Sequence, residues 1–375
     1  MGQPLRLGLY SPYFGSTLGG GEKYLCVAAE ALRDAFPGHR VALIGSVPAD
    51  RHRYEGTLNV HLGGIELMAT NARVTPVHRL ANRLGFLRPL RNRVLGRQAG
   101  RFTNGYDLFV AMVYRIPIRS RARSGVILCQ FPHELDDRAE LDGYQLVICQ
   151  SEYVAGWVRR RWGVEPVVIE PPIEIPAQEP SWQRKQRLIL SVGRFFVGGH
   201  SKRQDFMVEA FKRLHDSGLR GWELHLAGAV HKDGPHAGYY RKVAEAAKGY
   251  PIVLHPDLSR AALDHLYERA SIYWHAAGYG ADLEREPEAA EHFGMTTAEA
   301  MAHGAVPLAF AAGGQPEVVG EGTGHLWQTP DELIALTAEL AADPARRQAL
   351  GGRARQAVER FSVCLLYTSD AADAL

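Results

Sequence analysis

Cysteine is scarce in this chain: Cys26, Cys129, Cys149 and Cys364 are the only four in 375 residues. None forms a CxxC pair or a metal-ligand spacing, which excludes a disulfide scaffold and a zinc ribbon. Three of them sit in apolar strand or helix patterns, where inert buried thiols are expected, as in a reducing compartment. No run of about 18 apolar residues exists, so no membrane-spanning helix is expected. The first residues, Met-Gly-Gln-Pro-Leu-Arg, carry no charged-then-apolar leader, and Arg6 stands where a myristoylation signal needs Ser or Thr. GxGxxG is missing after the first apolar run, as is a Walker A loop, which argues against a nicotinamide dehydrogenase and a P-loop enzyme. Asp-x-Asp occurs nowhere. Acidic residues are absent between Glu66 and Asp107, where Arg73, Arg79, Arg83, Arg88, Arg91, Arg93, Arg97 and Arg101 all fall, although the net charge is only +2.

What is there is alternation. Leu5–Tyr10, Val41–Ile44, Leu108–Val113, Val126–Cys129, Leu146–Cys149 and Val167–Ile169 read as buried strands separated by helical patterns. Leu25, Ala28, Ala29, Leu32 and Phe36 mark one helix face that ends at Pro37-Gly38. Residues 165–180 hold five prolines and read as an extended linker. The alternation then restarts at Leu188–Val192, Leu224–Ala227, Ile252–His255, Ile272–His275 and Val306–Phe310. This predicts an α/β chain of two tandem Rossmann-like, doubly wound parallel-sheet domains facing a cleft. The expected bounds are 1–170, a proline-rich linker over 171–186, and 187–363, with ligands at the carboxyl ends of the strands.

Several elements there could do chemistry. Gly19, Gly20 and Gly21 precede a helix after the first strand, either as a flexible connector or as backbone able to approach an anion. Arg194 follows the strand Leu188–Val192 and Lys202 comes eight positions later. The plain reading is two solvated cations; the functional one is a pair that neutralises a leaving diphosphate in place of a metal. In Glu291-His-Phe-Gly-Met-Thr-Thr-Ala-Glu299 two carboxylates flank a Phe-Gly turn. A helix beginning near Gly294 puts Glu299 about one and a half turns in and leaves Glu291 in the loop before it. That spacing suits one carboxylate to a sugar and one to a ribose, beside a helix N-terminus that favours phosphate. Gln130 and His133 follow the strand Val126–Cys129, near the expected cleft.

These residues resemble the retaining glycosyltransferases of family 4, the group 1 transferases, with the GT-B fold. The resemblance spans residues 5 to about 363 and is most specific at Glu291–Glu299, then at Ser191-Val-Gly-Arg194 with Lys202, then at the glycine loop. It implies that Gly19 and Gly20 lie near the donor diphosphate and that Arg194 and Lys202 bind it. It implies that Glu291 contacts the donor sugar, that the amides from Phe293 through Gly294 and Met295 to Thr296 serve sugar and phosphate, and that Glu299 holds the ribose hydroxyls. The catalytic set is then Glu291, Arg194 and Lys202, with no metal and no cofactor. Family members commonly have His after the N-domain strand, where this chain has Gln130, with His133 three residues on. The glycine loop and Glu-His-Phe-Gly are also similar to eukaryotic mannosyltransferases that extend lipid-linked oligosaccharide, which hints at GDP-mannose. The implied reaction retains configuration, the leaving phosphate taking the acceptor proton.

Residues 77–101 interleave Arg with Leu and Phe; the stretch is either a solvated basic helix pair or a surface that docks on anionic lipid. The expectation is a cytoplasmic protein, peripheral on the inner face of the plasma membrane under the second of these readings, that meets a nucleotide-sugar donor and a glycan or lipid-linked acceptor and no nucleic acid. Residues 364–373 break the preceding pattern and resemble translated read-through of a sequencing-library adapter, so 364–375 is expected to be a non-native tail. The alternatives weighed are a non-hydrolysing nucleotide-sugar epimerase of GT-B fold and a non-catalytic two-domain sugar-binding protein.

Overall fold

The computed structural model describes residues 3–70, 100, 102–113, 119–135, 138–199 and 201–362. The basic stretch 77–101 lies outside the described residues except for Gly100, and so does the tail 364–375. The chain divides into two compact units, one up to Glu170 and one from Pro171.

In the first unit, strands β1 (Arg6–Tyr10), β2 (Arg40–Gly45), β3 (Glu66–Ala69), β4 (Leu108–Val113), β5 (Ser124–Cys129), β6 (Leu146–Cys149) and β7 (Val167–Val168) form one sheet in the order β3-β2-β1-β4-β5-β6-β7. Every pairing is parallel. Helices α1 (Gly20–Ala35), α2 (Arg51–Leu58) and α3 (Glu152–Trp162) cover it. A parallel strand is buried on both faces, which is why β2 and β5 are continuous apolar runs. Cys26, Cys129 and Cys149 are buried free thiols. The face predicted for α1 ends one residue early: the helix stops at Ala35, and Phe36 becomes its C-cap and stands 39% exposed.

The second unit repeats the plan. Its strands β8 (Leu188–Val192), β9 (Glu223–Gly228), β10 (Ile252–Pro256), β11 (Ile272–His275), β12 (Val306–Phe310) and β13 (His325–Trp327) run parallel in the order β10-β9-β8-β11-β12-β13. Helices α4 (Gln204–Asp216), α5 (Gly234–Ala247), α6 (Arg260–Arg269), α7 (Met295–Ala302), α8 (Gln315–Val318), α9 (Pro330–Ala342) and α10 (Pro344–Ala357) complete it. Met207, Val208, Phe211 and Leu214 recur at helical spacing on α4 and pack with Trp274, Leu226 and Trp327 in its core. The segment expected as linker packs on this unit: Ile173 is buried, and its N–H donates to the Phe361 carbonyl at 2.7 Å. In each sheet the first strand is the branch point, and growth reverses between β1 and β4 and between β8 and β11. Ligands of doubly wound sheets sit at the carboxyl ends of the strands there. Among the described residues no helix is long and apolar enough to cross a membrane.

Candidate active site

The branch point of the second sheet opens on the loop after β8. Gly193 is needed there because a Cβ would lie 2.5 Å from Cγ of Lys202, so the lysine stem crosses the glycine directly. Gln204, at the start of α4, pins this loop: its Nε2 donates to the carbonyls of Gly193 at 3.0 Å and Arg194 at 3.1 Å. The Arg194 side chain is exposed, with its guanidinium 5.5 Å from the Phe196 ring centre. The loop thus presents one free cation and delivers a second, Lys202, to the neighbouring strand end.

At that end Lys202 meets Glu291. The ammonium pairs with Oε2 of the carboxylate, and His275, the last residue of β11, holds the same oxygen through Nε2 at 2.8 Å. Burial pushes the Glu291 carboxyl up, but the Lys202 charge and the His275 hydrogen bond outweigh it and hold the group well below the ordinary carboxylate range. Burial in turn lowers the His275 imidazole and keeps it neutral, against the pull of Glu291. An ionised carboxylate only accepts, so the facing imidazole proton is on Nε2. Nδ1 of His275 is buried and has no partner.

Three residues on, the chain turns into α7 at Gly294, whose φ of 114° is the left-handed region that favours glycine. A Cβ there would lie 2.3 Å from Nε2 of Gln315. Gln315 is fully buried, and both ends of its amide lack a partner. The first backbone N–H groups of α7, at Met295, Thr296 and Thr297, have no acceptor within the helix, which makes this end electropositive. Tyr273 steadies the first turn by donating to Oγ1 of Thr296 at 2.8 Å, and Phe293 packs edge-on against Phe361 at 5.1 Å. The loop itself is fastened by the Gly314 N–H, which donates to the Glu291 carbonyl at 2.7 Å.

Glu299 lies one turn further along α7, 5% exposed. Arg260, the first residue of α6, donates to its Oε1 at 2.8 Å, and the Tyr267 hydroxyl donates to Oε2 at 3.1 Å. Burial draws the Arg260 guanidinium down, but the carboxylates of Glu299 and Asp264 outweigh it and push it up. Burial and the Glu299 charge together hold the Tyr267 phenol protonated. Arg260 and Tyr267 thereby fix the orientation of this carboxylate.

The structure therefore gathers Glu291, Lys202, Arg194, Glu299 and the Phe293–Thr296 turn at one end of one sheet. His275, Arg260 and Tyr267 were not foreseen. Of these only Arg260 left a trace, a four-residue spacing to Asp264 on one helix. The remaining candidates lie in the first unit. Gly19 caps α1 in an extended conformation and Gly20 is the first helical residue, so the glycines lie within the first turn. Gln130, just past β5, is buried, and its Nε2 has no partner. His133 is committed locally: Nε2 meets Oε2 of Glu140 at 3.1 Å, the ring stands edge-on to Trp162, and the Trp162 indole donates to the His133 carbonyl at 2.8 Å.

Residues 173–357 match the profile of the family described as glycosyl transferases group 1. This stretch is similar to the members of that family. No curated protein matches the chain in sequence. Among solved structures, sucrose-phosphate synthase (tll1590) from Thermosynechococcus elongatus superposes with a TM-score of 0.70 at 19% identity, over 97% of this chain and 96% of that one. HepE (Alr3699) of Anabaena, solved with UDP and glucose, gives 0.71 at 17% identity over 98% and 99% of the two chains. A glycosyltransferase from Rickettsia africae gives 0.65 at 16% identity over 98% and 97%. At these identities the likeness is one of fold, the GT-B fold of glycosyltransferases. The group 1 stretch is the unit that carries Lys202, Glu291 and Glu299.

Proposed function

We propose that the chain is a retaining, metal-independent glycosyltransferase that moves a hexosyl group from a nucleoside diphosphate-sugar to a glycan or lipid-linked acceptor. The observation that carries this is the cluster at the β8/β11 branch point, where a carboxylate held by Lys202 and His275 comes three residues before an open helix N-terminus, with Arg194 exposed on the loop that leaves β8. On this reading Arg194 and Lys202 take the diphosphate, and the amides from Phe293 to Thr296 serve sugar and phosphate. Glu291 receives sugar hydroxyls and Glu299, steadied by Arg260 and Tyr267, receives those of the ribose. Lys202 is tied to Glu291; a diphosphate would draw the ammonium to itself and free that carboxylate for the sugar.

The bond from the anomeric carbon to the diphosphate oxygen breaks, and its electrons stay on the phosphate. The acceptor hydroxyl attacks from the same face and gives its proton to that departing phosphate. No enzymic nucleophile is required. Glu291 is engaged by two basic groups and Glu299 by Arg260 and Tyr267, unlike the acid and nucleophile pair of a hydrolase. The metal-independent part rests on the missing Asp-x-Asp and on the two cations that supply the charge. HepE was solved with UDP and glucose, which favours trying UDP-sugars beside GDP-mannose. Docking on anionic lipid through residues 77–101 belongs to the same reading and rests on sequence alone; equal sedimentation with neutral and anionic vesicles removes it.

A thermal-shift panel of UDP-, GDP- and ADP-sugars, run with and without EDTA, tests the donor site. One sugar nucleotide should raise the melting temperature in both conditions, and Glu291→Ala should abolish transfer while the fold persists. Full activity in that variant sinks the assignment. Sugar interconversion without any acceptor would favour an epimerase instead.

A further inference from the structure

We propose that His275 is a positioning residue for sugar transfer: through Nε2 it keeps the Glu291 carboxylate aimed at the donor sugar once Lys202 has turned to the diphosphate. The inference rests on the donor site described above and adds a residue to it.

Three observations point this way. His275 is 2% exposed at the carboxyl end of β11, a strand whose four residues are all buried. Its Nδ1 is buried with no partner, which destabilises the fold; an apolar side chain would fill the same space without that penalty. Among the described residues, the one side-chain polar contact that could offset it is the 2.8 Å bond to Glu291. Packing alone therefore gives no reason for an imidazole here, whereas the carboxylate does.

The second partner of Glu291 cannot serve throughout a turnover. Lys202 approaches the site on a flexible stem from the β8 loop, and its ammonium is the group a diphosphate would recruit. When it leaves, Oε2 of Glu291 keeps a single tether, and that tether is rooted in a strand. A rigid strand-borne donor holds geometry better than a loop-borne one. Its loss would leave the carboxylate free to rotate while the diphosphate contacts stay as they were. The effect should fall on the chemical step more than on donor binding.

The experiment compares the wild type with His275→Gln, His275→Asn and His275→Leu, following release of nucleoside diphosphate from UDP-glucose, GDP-mannose and ADP-glucose with water as acceptor, beside a thermal melt of each protein. Gln places an N–H where Nε2 now sits; Asn carries the same amide too short to reach; Leu keeps the bulk and removes the donor. Gln should keep kcat within about threefold, whereas Asn and Leu should lower it roughly 10- to 100-fold with little change in the KM for the donor. Should Leu fail to fold, the Gln and Asn pair decides. Equal kcat in Gln and Asn, or a change confined to KM, overturns the inference while the wild-type activity leaves the donor reading standing. A wild type that neither binds nor cleaves any of the three donors takes down both.

Discussion

Lys202 and Glu291 stand 89 residues apart in the chain and form an ion pair at the branch point of the second sheet. The pair exists because β8 and β11 are neighbours in that sheet, so the loop leaving one meets the loop leaving the other. Lys202→Met should break it. A partly buried carboxylate would then keep only the His275 bond, at a cost of about 2 kcal/mol. The pH dependence follows from the depressed Glu291 carboxyl. Its contribution is fully present above the unfolded value near 4.5 and drains away as pH falls toward the folded one. The melting gap between wild type and Lys202→Met should therefore be widest near neutrality and narrow as pH falls through 4. A constant gap from pH 7 to 3 contradicts the ion pair as its source.

Arg260 should matter for both stability and donor affinity. Its side chain and that of Glu299 are 13% and 6% exposed, so removing the arginine strands a buried carboxylate. Arg260→Leu should cost about 3 kcal/mol. The double variant Arg260→Leu/Glu299→Leu should recover part of that, because both charges are gone. Nucleotide affinity should stay weak in the double variant, since the proposed ribose acceptor is missing. Chemical denaturation gives the first number and nucleoside diphosphate titration the second. A double variant no more stable than the single one would show that the pairing is not what stabilises this region.

Much of this was legible in the chain, for a physical reason. Buried parallel strands such as Leu188–Val192 and Val306–Phe310 are unbroken apolar runs, and the glycine of a left-handed cap marks the start of α7. Two strands escaped notice. β3 is a sheet edge with half-exposed residues, and β13 is three residues long. Phe36 fitted the α1 face by spacing, but the backbone leaves the helix one residue before it. His275, Arg260 and Tyr267 were missed because their partners lie 16, 39 and 32 residues away. Such pairings are set by strand order, which hydrophobic period does not report.

Gln315 offers a sharper check on the α7 turn. Its buried amide has no partner at either end and presses on Gly294. Gln315→Met keeps the reach and removes both polar groups, so stability should rise by about 1–2 kcal/mol. Gly294→Ala should do the opposite. It forces an L side chain into the left-handed region and into contact with that amide, and it should cost more than 2 kcal/mol and weaken donor binding. Urea denaturation of both variants decides it. A destabilised Gln315→Met would mean the amide is satisfied in solution by an ordered water.

Lys185 makes the last prediction, away from the donor end of the sheet. Its ammonium donates to the carbonyls of Ala270 and His303 at 2.7 Å and of Tyr267 at 3.3 Å, so it clips the end of α6 to the end of α7. Both helices carry groups of the proposed donor site, Arg260 and Tyr267 on one and Glu299 on the other. Burial pushes the ammonium down to about 7, against the helix-end carbonyls that favour the charge. The folded value lies below the unfolded one of 10.5, so the unfolded chain binds more protons between them, and stability rises with pH across that window. Lys185→Met should therefore lower the melting temperature at every pH, because three carbonyls lose their donor. Its deficit relative to wild type should grow as pH is raised from about 7 to 10. A deficit that stays flat over that range would place the folded ammonium at or above its ordinary value, with the carbonyls outweighing burial.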